Sequence, residues 1–93
     1  MFVVLAKRDD CGDVAVFPVE KDGNDFWKTF SEARAVMKAD YQAMSKSWSD
    51  WVGKRDPRKR RILRKSARFK VPVWDGGRQR NGSITCKWRI VEI

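Results

Sequence analysis

Apolar and polar positions alternate along much of this chain, and the alternation predicts most of its elements. FVVLAK (residues 2 to 7) and VAVFPVE (14 to 20) are two β-rich runs joined by RDDCGD, an Asp/Gly turn, so together they read as a hairpin. Pro18 has no N–H to give to a ladder, which puts the second run at a sheet edge or on a bulge. KDGND (21 to 25) is a second cluster of turn formers.

The period then changes. In TFSEARAVMKADYQAMSKSWSDWVG, the residues Ala33, Met37, Tyr41, Met44, Trp48 and Trp51 recur at spacings of three and four and fall on one helical stripe. Thr29 or Ser31 can cap the start. Glu32 stands three residues after Thr29, as a capping box requires, and Gly53 is placed to end the helix. Ser45, Ser47 and Ser49 are mediocre helix formers, so the last turns are free to fray or bend.

The segment GKRDPRKRRILRKSARFKVPVW (53 to 74) admits two readings. Asp56 and Pro57 suit the first positions of a helix through RKRRILRK. Against this, Leu63, Ala67, Phe69, Val71 and Val73 alternate with Arg64, Ser66, Arg68 and Lys70, a period of two with one misfit at Lys65. The second pattern is longer, and it predicts a strand over about 63 to 74, preceded by a basic loop or short helical turn over 54 to 61. DGGRQRNG (75 to 82) is dense in turn residues. SITCKWRIVEI then places Ile84, Cys86, Trp88 and Ile90 on one face and Thr85, Lys87 and Arg89 on the other, a final strand antiparallel to the one before.

The predicted order is β-β-α-β-β. This is an α+β fold in a single domain spanning residues 1 to 93, with a four-stranded antiparallel sheet and one long amphipathic helix across a face. A chain of 93 residues has room for one core. Its 42% apolar content, with five Trp and five Phe, sets it apart from a disordered basic tail.

Charge sharpens the picture because it is segregated. Residues 1 to 46 carry seven Lys/Arg against eight Asp/Glu, while residues 47 to 93 carry fourteen against four. Ten cations lie between 54 and 70 (Lys54, Arg55, Arg58, Lys59, Arg60, Arg61, Arg64, Lys65, Arg68 and Lys70), with Asp56 as the one anion. If the apolar faces of the last two strands meet the helix, then Arg64, Arg68, Lys70, Lys87 and Arg89 share the opposite, solvent face. Such a patch attracts a polyanion: RNA or DNA, a nucleoprotein complex, or an acidic protein surface. The plainer alternative is a solvated face that keeps the protein soluble.

Catalysis finds little material. There is no histidine, which removes Ser-His, Cys-His and histidine-ligated metal mechanisms. Cys11 and Cys86 stand apart with no CxxC spacing, so no four-ligand zinc site is expected, and a bridge between them is unsupported. Asp9, Asp10, Asp13, Asp22 and Asp25 remain for a divalent cation, but all five lie in turn clusters, where Asp serves the backbone. We therefore expect a non-enzymatic protein without cofactor or metal. The N-terminal run has five apolar residues before charge begins and no basic leader, and no segment reaches the length of a membrane span. The expected compartment is cytoplasmic.

The expected nucleic-acid-binding residues are Lys54, Arg55, Arg58, Lys59, Arg60, Arg61, Arg64, Arg68, Lys70, Trp74, Lys87 and Arg89. Arginine can fork two N–H donors onto one phosphate, and an exposed ring can stack on an unpaired base. Trp74 falls in phase with the arginines, whereas Trp88 falls with Ile84 and Ile90 and reads as core, with Phe69 beside it. Trp27 and Trp51 are candidates for a protein interface, since tryptophan is enriched at hot spots. Neither oligomeric state nor strand order follows from the pattern.

In outline, a short hairpin, then TFSEARAVMKADYQ as one amphipathic helix, then a closing CKWRIVEI strand resembles small accessory proteins of phages and mobile elements, anti-CRISPR proteins among them. The resemblance implies stoichiometric inhibition of a host nucleoprotein machine, in an infected bacterial cell. Many anti-CRISPR proteins are acidic DNA mimics, which this chain is not. A basic member would contact guide RNA, target DNA or an acidic patch on the effector.

Overall fold

The computed structural model describes residues 1–10, 13–52, 59–75 and 78–93, and the side-chain surroundings of these apart from 48–52, 59–60, 71–75 and 78–83. Along the chain run β1 (Phe2–Asp10), β2 (Asp13–Pro18), α1 (Phe30–Val52), β3 (Lys59–Ile62), β4 (Ser66–Asp75) and β5 (Arg78–Glu92). The strands form one antiparallel sheet in the order β2-β1-β5-β4-β3. α1 lies across one face, so the fold has two layers and the other face carries none of the described helix.

One face of each inner strand supplies the core. Val4 and Ala6 of β1, Ala67 and Phe69 of β4, and Ile84, Cys86 and Trp88 of β5 meet Ala33, Val36, Met37 and Tyr41 of α1. The rings of Tyr41, Phe69 and Trp88 form a triangle with centroids 5.5 to 6.0 Å apart, two of the three pairs edge-on. Edge-on contact sets the positive rim of one ring against the negative face of another and adds to the area term. The Trp88 Nε1–H donates to Asp40 Oδ2 at 2.6 Å, so this buried indole keeps a partner for its polar atom. Trp88 is thus a core residue, as its phase predicts, and Phe69 is fully buried beside it.

The helix starts as its sequence requires. Thr29 Oγ1 accepts from the Glu32 N–H at 3.1 Å, and the Thr29 carbonyl accepts from the Ala33 N–H at 3.2 Å. Ala33, Met37 and Tyr41 are buried and Met44 is partly buried, as the stripe predicts; the surroundings of Trp48 and Trp51 lie outside the described residues. Lys21 and Asn24 exchange two backbone hydrogen bonds around Asp22 and Gly23, whose φ angles are 53° and 79°. Two successive positive values make this a tight type I′ reversal, the use for which an Asp-Gly pair is suited. Among the described residues no helix is long and apolar enough to cross a membrane.

Three expectations for the basic segment need correction; elsewhere, residues 78 to 82, expected as turn, belong to β5, and Asp9, Asp10 and Asp13, expected in a turn cluster, end β1 and begin β2. The sheet has five strands, because Lys59–Ile62, expected as loop or helical turn, pairs with β4. The expected strand over 63 to 74 begins at Ser66: the Leu63 N–H donates to the Ser66 carbonyl at 2.7 Å, and residues 63 to 65 turn the chain between β3 and β4. Leu63 is consequently 46% exposed instead of buried. Arg64 does not share the solvent face with the other cations. Its guanidinium carbon lies 5.4 Å over the ring centroid of Phe30, and its carbonyl accepts from Arg34 Nε at 3.2 Å, both on the helix side. Contacts with α1 make this turn without glycine, proline or asparagine, so the break in alternation at Lys65 was its one local sign.

Candidate nucleic-acid interface

The helix-free face is built by strand alternation. In β1, the residues between Val4 and Ala6 and after it, Leu5 and Lys7, point away from the core; in β4 these are Arg68 and Lys70, and in β5 Lys87 and Arg89. Cross-strand register then decides which of them become neighbours. Val16 pairs with Lys7, Lys7 with Lys87, Lys87 with Arg68, and Arg68 with Arg61. Four cations therefore stand side by side in one row across β1, β5, β4 and β3, spanning about 14 Å at the usual strand spacing.

Neighbouring rows have another character. Pro18, Leu5, Arg89 and Ser66 form the next one, and Val14, Asp9, Thr85 and Lys70 the one on the other side. A groove of about 530 Å³ follows the cation row, lined by Leu5, Lys7, Val16, Arg61, Leu63, Ser66, Ala67, Arg68, Lys87, Trp88 and Arg89. A smaller depression of about 300 Å³ lies against Arg68, Phe69, Lys70, Thr85 and Lys87. The tips are in solvent: Lys7, Arg61, Arg68, Lys70, Lys87 and Arg89 are all exposed.

Like charges directly opposite one another in a sheet are destabilising by some tenths of a kcal/mol or more per pair. Three such contacts in succession are a cost that the fold carries with no counter-charge in the row.

Six of the predicted residues are thereby located or assigned a surface. Arg61, Arg68, Lys70, Lys87 and Arg89 share the groove face, and Arg64 is on the other side of the sheet. Lys59 and Arg60 lie in β3, with surroundings outside the described residues, and Lys54, Arg55 and Arg58 fall outside the described residues altogether. Trp74 lies in β4 at a register position opposite Gln79, with its side chain likewise outside them. Trp27 is half-buried against the core, and it exchanges two backbone hydrogen bonds of 2.8 Å with Phe2; the side chain of Trp51 is outside the described residues.

Sequence reasoning missed Lys7. Its signal was present, since Lys7 continues the outward phase of Val3 and Leu5, but only the β1–β5 pairing brings it beside Lys87. No protein-family model, curated protein or solved structure matches the chain.

The other chemistry on the molecule is sparse. Arg8 and Asp10 form an exposed ion pair at 3.4 Å, and Asp22 and Asp25 are exposed around the 21–24 turn. Among the described residues, no three of His, Cys, Asp and Glu converge as a metal site would need. Cys86 is a free, buried thiol. Burial pushes its pKa up, the Arg8 charge opposes this, and Asp10 and Asp40 add to it.

Proposed function

We propose that this protein binds nucleic acid, alone or within a nucleoprotein complex, through the helix-free face of its sheet. The observation that carries the reading is the in-register row Lys7, Lys87, Arg68 and Arg61, set along a groove and flanked by Arg89 and Lys70. Phosphates spaced along a backbone are the common ligand that meets several cations at once, and each contact releases condensed counterions. Arg61, Arg68 and Arg89 can each fork onto a phosphate, and the Lys side chains supply point charges. The ten cations within 54 to 70 add long-range attraction that speeds encounter.

Titration of a labelled single strand, a DNA duplex and a structured RNA at two salt concentrations tests this. Binding that weakens steeply with salt is expected. Absence of binding to all three at low salt would refute the reading.

A second reading is favoured by β2. All six of its residues are exposed, and Val14, Val16 and Phe17 leave apolar surface at a sheet edge, where a partner strand can add. In that reading the protein is an inhibitor that docks on a nucleoprotein effector, as the outline resemblance to anti-CRISPR proteins implies. A pull-down that survives nuclease treatment separates the two, because a contact made through nucleic acid does not.

A further inference from the structure

The row of cations crosses β4 and β5 at Arg68 and Lys87, three residues from the Val71–Ile84 pair at which a two-stranded arm begins. The described pairing of β1 with β5 runs as far as Asp10 and Ile84, and that of β3 with β4 as far as Lys59 and Lys70. Among the described residues, β4 and β5 continue from there as a pair, through Pro72 and Ser83 to Trp74 and Gln79 and finally Asp75 and Arg78. No third described strand flanks them beyond Ile84. β5 is 15 residues long where β1 has nine, and the molecule measures 45 × 25 × 24 Å.

An isolated two-stranded ribbon is marginal in water, so extending one beyond a core has a cost that calls for a use. This ribbon also changes register. Between Pro72/Ser83 and Trp74/Gln79, β4 has one residue, Val73, and β5 has three, Arg80, Asn81 and Gly82. Irregularities of this kind bend a ribbon and tighten its twist. The β5 side of the arm is thus Arg78, Gln79, Arg80 and Asn81, and Arg, Gln and Asn are the residue types that make paired hydrogen bonds to guanine and adenine edges.

We propose that the nucleic acid is B-form duplex DNA, with this arm lying in the major groove and the cation row on the adjoining backbone. The inference rests on the nucleic-acid reading above and narrows it. A major groove about 12 Å wide admits a two-stranded ribbon, and phosphates line both of its walls. Arg68 and Lys87 belong to the same two strands as the arm, so a ribbon in the groove brings the row onto those phosphates. A-form RNA closes this route, because its major groove is deep and narrow.

The test is fluorescence anisotropy with a DNA duplex of about two helical turns, the RNA duplex of the same sequence and the single DNA strand. It is repeated with Arg78→Ala/Arg80→Ala and with Arg68→Gln/Lys87→Gln, each checked for native circular dichroism. Competition uses methyl green for the major groove and netropsin for the minor. DNA duplex is expected to bind at least about tenfold more tightly than the other two, and the arm variant to lose about tenfold or more on duplex DNA. Methyl green should displace the protein and netropsin should not. Equal or tighter binding of RNA duplex or single strand overturns the inference while leaving the nucleic-acid reading intact. So does an arm variant that binds duplex DNA like the parent, or displacement by netropsin alone. Failure to bind any nucleic acid overturns both.

Discussion

Arg68 of β4 and Lys87 of β5 are directly paired on adjacent strands, both on the face that α1 leaves open. Lys7 and Arg61 extend the pair to either side. Repulsion along this row is screened by salt, with a Debye length of about 10 Å at 0.1 M. The free protein should therefore gain stability as salt rises from very low to moderate concentration. Arg68→Gln or Lys87→Gln should raise stability by about 0.2 to 1 kcal/mol at low salt while weakening nucleic-acid binding. Urea denaturation at two ionic strengths, set beside the binding curves, reads both effects. A variant that loses stability at low salt would show the row to be balanced by the fold itself.

The Trp88–Asp40 hydrogen bond joins β5 to α1, its indole buried and its carboxylate partly exposed. Asp40→Ala leaves the indole N–H without its acceptor and should cost about 1 to 3 kcal/mol. Trp88→Ala also opens a cavity beside Tyr41 and Phe69 and should cost about 3 to 5 kcal/mol. Urea midpoints followed by far-ultraviolet circular dichroism give both values. An Asp40→Ala variant as stable as the parent would remove this bond from the account of the core.

Cys86 should be unreactive in the folded state. On a Cys11→Ser background, its labelling by a thiol reagent at mildly alkaline pH should be at least about tenfold slower in buffer than in denaturing urea. The raised pKa also has a sign for stability. The folded thiol holds its proton at pH values where the unfolded thiol has lost it. Its contribution is complete below the unfolded pKa and is lost as pH rises through the folded one. Cys86→Ala should flatten that alkaline decline, as urea midpoints across the pH range would record.

Gly23 occupies φ = 79° with open space where a side chain would begin, so backbone strain alone decides a substitution there. Gly23→Ala should cost about 1 to 2 kcal/mol, whereas Asp22→Asn, at φ = 53°, should be close to neutral because Asn tolerates that region. Thermal melts of the two variants give the comparison, and equal melting temperatures would count against a backbone origin.

Where sequence was informative, a period was long enough to be read. The stripe through Ala33, Met37 and Tyr41 locates the buried face of α1, and the alternation around Ile84, Cys86 and Trp88 locates that of β5. Pro18 correctly marks β2 as an edge. β3 was hidden because four residues, three of them cationic, are too few to show a period. Its turn was hidden because Arg64 is held by Phe30 and Arg34, some thirty positions away, rather than by its own neighbours. The misfit at Lys65 was the trace of that turn. The site was half legible for a related reason. Alternation tells which face a cation takes, and only register tells which cations touch; Lys7 joins the row through a pairing with the opposite end of the chain.

The length of the molecule has a consequence for how densely it can decorate a polymer. Laid along a B-form duplex at 3.4 Å per base pair, its 45 Å long axis covers about 13 base pairs, a little over one helical turn. Successive copies on one duplex would then face it from progressively rotated directions. Saturation at that stoichiometry gives a footprint countable without knowledge of the sequence bound.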